Sequence, residues 1–209
     1  MNQLIIIGAS GHGKVIADIA KLNGYTDIAF LDDDRSKVEC NGYPVIGSVG
    51  EAKTYVHADF IVAIGNAKIR EHVQQELAKS CLKVVTLIHP KATIAEEVKI
   101  GIGTAIMAGT VINAASIIGD GCIINTCASV DHDCIIGNFV HISVGAHVAG
   151  TVEIGDRSWI GARATVNNNL QITRDCMIGA GAVVVNSIGK QGTYIGVPAI
   201  DIKGEKSVR

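Results

Sequence analysis

The chain has 209 residues, 48% of them hydrophobic, 18% charged and only 4% aromatic, with a formal net charge of -2. That length holds one large domain or two small ones. The hydrophobic share excludes intrinsic disorder, and the charge balance excludes a nucleic-acid partner drawn in by electrostatics alone.

Glycine is frequent, at 24 residues against 3 prolines, which implies many tight backbone positions and an aliphatic core. The first apolar run, residues 4–7, is too short for a signal-peptide core and has no basic residue before it. No membrane segment is expected. The six cysteines (Cys40, Cys81, Cys122, Cys127, Cys134 and Cys176) form no C-x-x-C pair, which argues against structural zinc and for reduced thiols in the cytoplasm.

The first half alternates short apolar runs with helical patterns. Residues 4–8 read as a strand, followed by Gly8-Ala9-Ser10-Gly11-His12-Gly13 and a helix over 14–22. A second strand over 28–31 ends in Asp32-Asp33-Asp34, and a third over 60–64 ends in Gly65-Asn66. Ile69, Val73 and Leu77 lie four apart and predict an amphipathic helix over 67–80. A fourth strand over 84–88 stops at His89-Pro90. This alternation predicts a Rossmann-like α/β domain over 1–85, a parallel sheet with helices on its faces.

From Ile88 to Val184 every sixth residue is isoleucine or valine. Period six fits neither a helix nor a plain strand and predicts a parallel β-helix of hexapeptide repeats over 86–209. The residue four beyond each aliphatic is mostly small, as at Ser116, Cys122, Ala128, Cys134, Ala146, Ala164 and Cys176, so a large and a small side chain fill each flat face. Glycines just after the aliphatic, such as Gly101, Gly119, Gly137, Gly155, Gly161 and Gly179, read as tight corners. Three repeats close one triangular coil. At ~4.8 Å per coil the prism is about 27 Å long.

The chain resembles the left-handed β-helix acyltransferases and, over nearly its whole length, the bacterial nucleotide-sugar acetyltransferases. The matching stretches are GASGHG at 8–13, FLDD at 30–33, AIGN at 63–66, LIH at 87–89, Asn125-Thr126, His132-Asp133-Cys134 and GVPA at 196–199. The left-handedness is an implication of that resemblance. So are acetyl-CoA as cosubstrate, a UDP-4-amino-dideoxy sugar of the bacillosamine type as acceptor, and a homotrimer with its active sites between subunits.

The GASGHG turn leaves backbone NH groups and a helix N-terminus facing outward, which suits a diphosphate. Its G-x-x-G-x-G spacing differs from the dinucleotide fingerprint and argues against a dehydrogenase. The plain alternative is a tight strand–helix turn without ligand. The resemblance implies that Ser10, Gly11, His12, Asp32 and Asp33 contact the UDP-sugar, with Gly65 admitting it close to the backbone. Asp34 reads as a solvated acidic turn. The three loops share one rim at the carboxyl ends of parallel strands, where open sheets bind ligands.

His132 lies two residues beyond Val130, a position facing out of the prism and flanked by Asp131 and Asp133. A neighbouring carboxylate raises imidazole basicity and fixes its tautomer. The resemblance makes His132 the general base with Asp133 as its partner. Attack of an amine on a thioester needs such a base, worth roughly 10²–10⁴ in rate. The resemblance also places His141 beside acetyl-CoA, gives Gly150, Ala162 and Ala180 backbone contacts to that cofactor, and assigns Asn125 to the sugar. Cys122, Cys134 and Cys176 read as core packing. His132, His141 and His147 leave a three-histidine metal site and a hydratase as a rival reading. A GDP-perosamine-type N-acetyltransferase, a sialic acid O-acetyltransferase and a non-catalytic sugar-nucleotide scaffold are the other rivals.

Overall fold

A computed structural model describes residues 3–202; the last residues of the domain expected over 86–209 lie outside them. The chain divides into two compact units. The first runs to Pro90 and includes Ile102–Ala105; the second comprises the rest.

The first unit holds β1 (Leu4–Ile7), α1 (Gly11–Leu22), β2 (Ile28–Leu31), β3 (Glu39–Cys40), β4 (Tyr43–Gly47), β5 (Asp59–Val62), α2 (Ala67–Lys79) and β6 (Lys83–Val84). The sheet order is β3-β4-β2-β1-β5-β6, parallel throughout except for the β3–β4 hairpin. All of β1 is buried, as a central parallel strand covered on both faces requires. Ile5 and Ile7 pack with Phe60, Val62, Leu77 and Leu82 on one face. Gly13 of α1 sits so near Phe30 that a Cβ there would be 3.0 Å from its ring. The chain leaves β1 for β2 on one side and returns to β5 on the other. The loops after β1 and β5 therefore part at a switch point.

Three local features depart from the sequence expectations. Helix α1 begins at Gly11, a turn earlier than expected, with Lys14 N donating to Ser10 O at 3.0 Å. A first turn has no intrahelical partners for its NH groups, so glycines are tolerated there. Helix α2 buries Arg70, Gln74 and Leu77, whereas Ile69 is 50% exposed. Its inner face carries Leu77 and Val73 as expected, but also polar side chains with backbone acceptors, among them Gln74 Nε2 donating to Ile102 O at 3.0 Å. Between β3 and β4, Asn41 and Gly42 both adopt positive φ, the turn that closes a two-residue hairpin. A capping box of Ser48 and Glu51 then opens a 3-10 turn over Val49–Thr54.

In the second unit each aliphatic of the six-residue series is the second residue of a two-residue strand. Each strand pairs in parallel with the one three repeats later. Ile112 faces Val130, Val148, Val166 and Val184 in turn; Ile118 faces Ile136, Ile154 and Ile172; Ile124 faces Ile142, Ile160 and Ile178. These aliphatics are buried from Ile106 onward. So are the small residues opposite them, including Thr110, Ser116, Cys122, Ala128, Cys134 and Cys176.

The corner glycines serve a different purpose from the one expected. The left-handed residue is the third after the aliphatic. Gly109, Gly121, Gly145 and Gly181 hold it, but so do Ala115, Cys127, Asp133, Phe139, Thr151, Arg157, Arg163, Asn169 and Asp175. The glycines directly after the aliphatic have ordinary φ and are there for space. A Cβ on Gly119 or Gly161 would lie 2.7 Å from a backbone carbon of the next coil. Beside that glycine ladder, Asn138 Oδ1 accepts from Asp120 N at 2.9 Å and Asp156 Oδ1 accepts from Asn138 N at 2.7 Å. One corner of the prism is thus tied coil to coil by short polar side chains.

Candidate active site

His132 stands at another corner, in the turn after the strand Ser129–Val130. Asp133 is the left-handed residue of that turn, which brings its carboxylate back beside the ring: His132 Nδ1 and Asp133 Oδ2 are 2.7 Å apart. Asp131 Oδ1 accepts from His132 N at 2.9 Å and from Asn113 Nδ2 at 2.7 Å. The hydrogen bond to Asp133, then the charge of Asp131, raises the His132 pKa above its ordinary value. Asn113 and the His132 amide in turn hold Asp131 below the usual carboxylate range. The ring lies on Gly150 of the next coil, where a Cβ would be 2.6 Å from Nε2. With Nδ1–H given to Asp133, the neutral ring presents Nε2 as a base.

His141 also points out of the prism, yet is only 8% exposed. Trp159, its partner in the neighbouring coil, covers it with ring centroids 4.5 Å apart. The Trp159 indole NH donates to Ser143 Oγ at 2.7 Å. Asn125 Nδ2 is 3.1 Å from His141 Nε2, and Asn125 Oδ1 accepts from Thr126 N at 2.8 Å. The Asn125 amide is therefore engaged with its own chain, holding His141. Ala162 and Ala180 stack exposed at one corner of successive coils, joined by Gly181 N donating to Ala162 O at 2.8 Å. His147 bonds Ser129 Oγ through Nδ1 at 2.8 Å. Among the described residues no cluster of three or more histidines, cysteines or carboxylates is placed to hold a metal. Cys134 and Cys176 are buried, and desolvation pushes both thiols up, away from thiolate chemistry.

In the first unit, a cavity of about 280 Å³ opens where the β1, β2 and β5 loops meet, lined by Ser10, Asp32, Asp33, Val49, Ile64 and Gly65 among others. Asp32 Oδ2 accepts from Ala9 N at 2.7 Å and Lys37 Nζ at 3.0 Å, while Oδ1 accepts from Asp34 N at 2.9 Å. Burial pushes the Asp32 carboxyl up, but these bonds outweigh it and leave the pKa below the ordinary value. Asp32 ties two loops together. Asp33 is exposed, with Oδ1 accepting from Val49 N at 3.0 Å.

The glycines of this rim divide into two kinds. Gly8 has φ +108° and a Cβ there would be 3.0 Å from Ala63 O; Gly13 lies against Gly8 O. Gly11 and Gly65 have nothing within 4 Å of a built Cβ, so no packing within the chain explains their missing side chains. Gly11 and His12 do not line the cavity. His12 turns inward: burial, then the charge of Arg70, lowers its pKa to about 4.

Periodicity and motif reading pass over Asn113, Trp159, Ser143, Lys37 and Arg70. The acidic residue before His132 was visible as a neighbour, but its bond to Asn113 joins successive coils and shows only once the eighteen-residue register is known.

Residues 3–77 match the family model described as the PglD N-terminal domain, and residues 151–186 match that of the bacterial transferase hexapeptide (six repeats). A GDP-perosamine N-acetyltransferase from Escherichia coli O157:H7 is 32% identical over 188 residues, 87% of this chain and 85% of that protein. A UDP-N-acetylbacillosamine N-acetyltransferase from Bacillus subtilis (strain 168) is 34% identical over 113 residues, 52% of each chain. The solved acetyltransferase domain of PglB from Neisseria gonorrhoeae FA1090, in complex with acetyl coenzyme A, superposes with a TM-score of 0.93. It is 42% identical, covering 97% of this chain and 100% of that one. With a parallel α/β unit, a left-handed β-helix and a histidine–carboxylate turn at its corner, the chain belongs to the hexapeptide-repeat nucleotide-sugar N-acetyltransferases.

Proposed function

We propose that this enzyme transfers the acetyl group of acetyl-CoA to the 4-amino group of a UDP-4-amino-dideoxy sugar, in the cytoplasm and as a homotrimer. The observation that carries the chemistry is the His132–Asp133 pair at 2.7 Å, with Nε2 left to the substrate. As the amine nitrogen attacks the thioester carbonyl, His132 Nε2 takes its proton. Asp133 stabilises the imidazolium through Nδ1–H. Collapse of the tetrahedral intermediate expels the CoA thiolate, which takes up a proton, and leaves the amide. Gly150 lets the ring lie against the next coil, where a side chain would collide with it. His141, held by Asn125 and Trp159, is the reading's cofactor-side residue, with the exposed backbone at Ala162 and Ala180. The first unit holds the nucleotide at the cavity of Ser10, Asp32, Asp33 and Gly65.

A GDP-perosamine-type acceptor is the second reading, favoured by the relative that matches 87% of this chain. A thiol-release assay with acetyl-CoA and a panel of UDP- and GDP-amino sugars decides between them. His132→Ala should lower kcat at least ~10²-fold in a folded protein, since an exposed side chain contributes little packing. Near-normal turnover in that variant would remove His132 from the mechanism, and loss of activity on chelation with recovery on zinc would restore the metal reading.

A further inference from the structure

Arg70 belongs to no motif read from the sequence, yet it is a fully buried side chain at 0% exposure, in the first turns of α2. A guanidinium is costly to bury and persists only where it is fully engaged. Its Nη1 donates to Ile64 O at 2.7 Å and to Gly65 O at 2.9 Å, the two consecutive carbonyls of the loop after β5. Ile64 and Gly65 line the cavity of the first unit.

A trans peptide is planar, with its N–H opposite its C=O. Two carbonyls turned toward Arg70 therefore turn the NH groups of Gly65 and Asn66 away from it. Gly65 itself has nothing within 4 Å of a built Cβ, so the backbone there is open to a ligand. Asn66 is the N-cap of α2, so these two NH groups adjoin the positive end of that helix, and Gly65 lines the cavity. His12, held neutral at neutral pH by burial and by the Arg70 charge, adds no second buried cation.

We propose that Arg70 is a positioning residue for the diphosphate of the nucleotide sugar: it fixes the 64–66 backbone so that two NH groups meet the phosphate oxygens. This rests on the reading of the first unit as the nucleotide site. The test measures binding of uridine, UMP and UDP to the full chain (or guanosine, GMP and GDP, should the panel select them). Arg70→Lys and Arg70→Gln should flatten the series, lowering the UDP-to-uridine affinity ratio at least about tenfold, while KM for acetyl-CoA is unchanged. Folded variants that lose uridine and UDP in equal proportion, or neither, overturn the proposal.

Should both variants misfold, Asn66→Pro decides. Asn66 has φ -66°, which proline shares, and the substitution deletes one of the two NH groups. Its loss of UDP should exceed that of Asn66→Ala, which removes only the side-chain cap; equal losses overturn the proposal. Wild-type protein that binds neither UDP nor GDP, with sugar KM unmoved by Asp32→Ala, overturns the nucleotide reading and this inference together. Wild-type UDP binding with an unchanged series in the variants overturns the inference alone.

Discussion

At the scale of single residues, two histidines in this chain are tuned in opposite directions. His132, raised by Asp133 and Asp131, must be neutral to accept a proton, so activity falls as pH drops through its raised pKa. In Asp133→Asn the acid limb of kcat/KM should move to lower pH and kcat should fall, as read from a pH–rate profile. An unmoved limb would detach Asp133 from the base. His12 is depressed to about 4 by burial and Arg70. The unfolded state binds a proton below pH 6.5 that the folded state refuses until about pH 4. Stability carried by neutral His12 is thus complete above pH 6.5 and is lost as pH falls toward 4, by about 2 kcal/mol at pH 5. Tm measured from pH 7 to pH 5 should fall less in His12→Asn than in wild type. Parallel curves would assign the acid sensitivity elsewhere.

Among the elements, the coil glycines and the rim glycines should behave oppositely. Gly119→Ala drives a Cβ into the backbone of the next coil and should lower stability by about 2 kcal/mol or more. Gly65→Ala meets open space, so Tm should hold while KM for the nucleotide sugar rises. A Gly119→Ala protein with unchanged melting would mean that the coils separate easily.

This contrast marks what was legible in the sequence. The hexapeptide series reads directly because backbone period alone sets which residues are inside, and every sixth residue from Ile106 to Val184 is buried. The role of Gly119 is invisible because its clash is with a residue three repeats away. Helix α2 is legible only in part: Val73 and Leu77 of the apolar stripe do pack on the core, but Ile69 is exposed, and Arg70 and Gln74 share the inner face because they find backbone acceptors there. Asn41-Gly42 and the Ser48–Glu51 box do carry local turn and cap signals, which a search for apolar periodicity passes over. At the site, the turn holding His132 and Asp133 is local and readable. The Asn125–His141–Trp159 set spans three coils and emerges only from the register.

At the scale of the molecule, one face of the prism carries Ile117 and Ile135 side by side in register, 42% and 48% exposed. The proposed trimer would cover adjacent exposed aliphatics of this kind, and cyclic symmetry would close such contacts without open ends. The expected assembly is a trimer. Light scattering at micromolar concentration should give about 65 kDa, three times 21.8 kDa. A fully active monomer would exclude a site shared between subunits.

The unbroken register also sets how this fold tolerates changes of length. Ala114, His132, Gly150 and Asn168 follow one another up a single edge, each separated from the next by one full circuit. Excising a whole circuit above Gly150 would shorten the prism and leave the His132 ring on its glycine floor. Excising one hexapeptide instead, between His132 and Gly150, keeps inside and outside intact but rotates everything downstream by a third of a turn. The histidine would then meet a different edge. Growth and loss in this half of the chain are quantised: six residues preserve the core, and only eighteen preserve the chemistry.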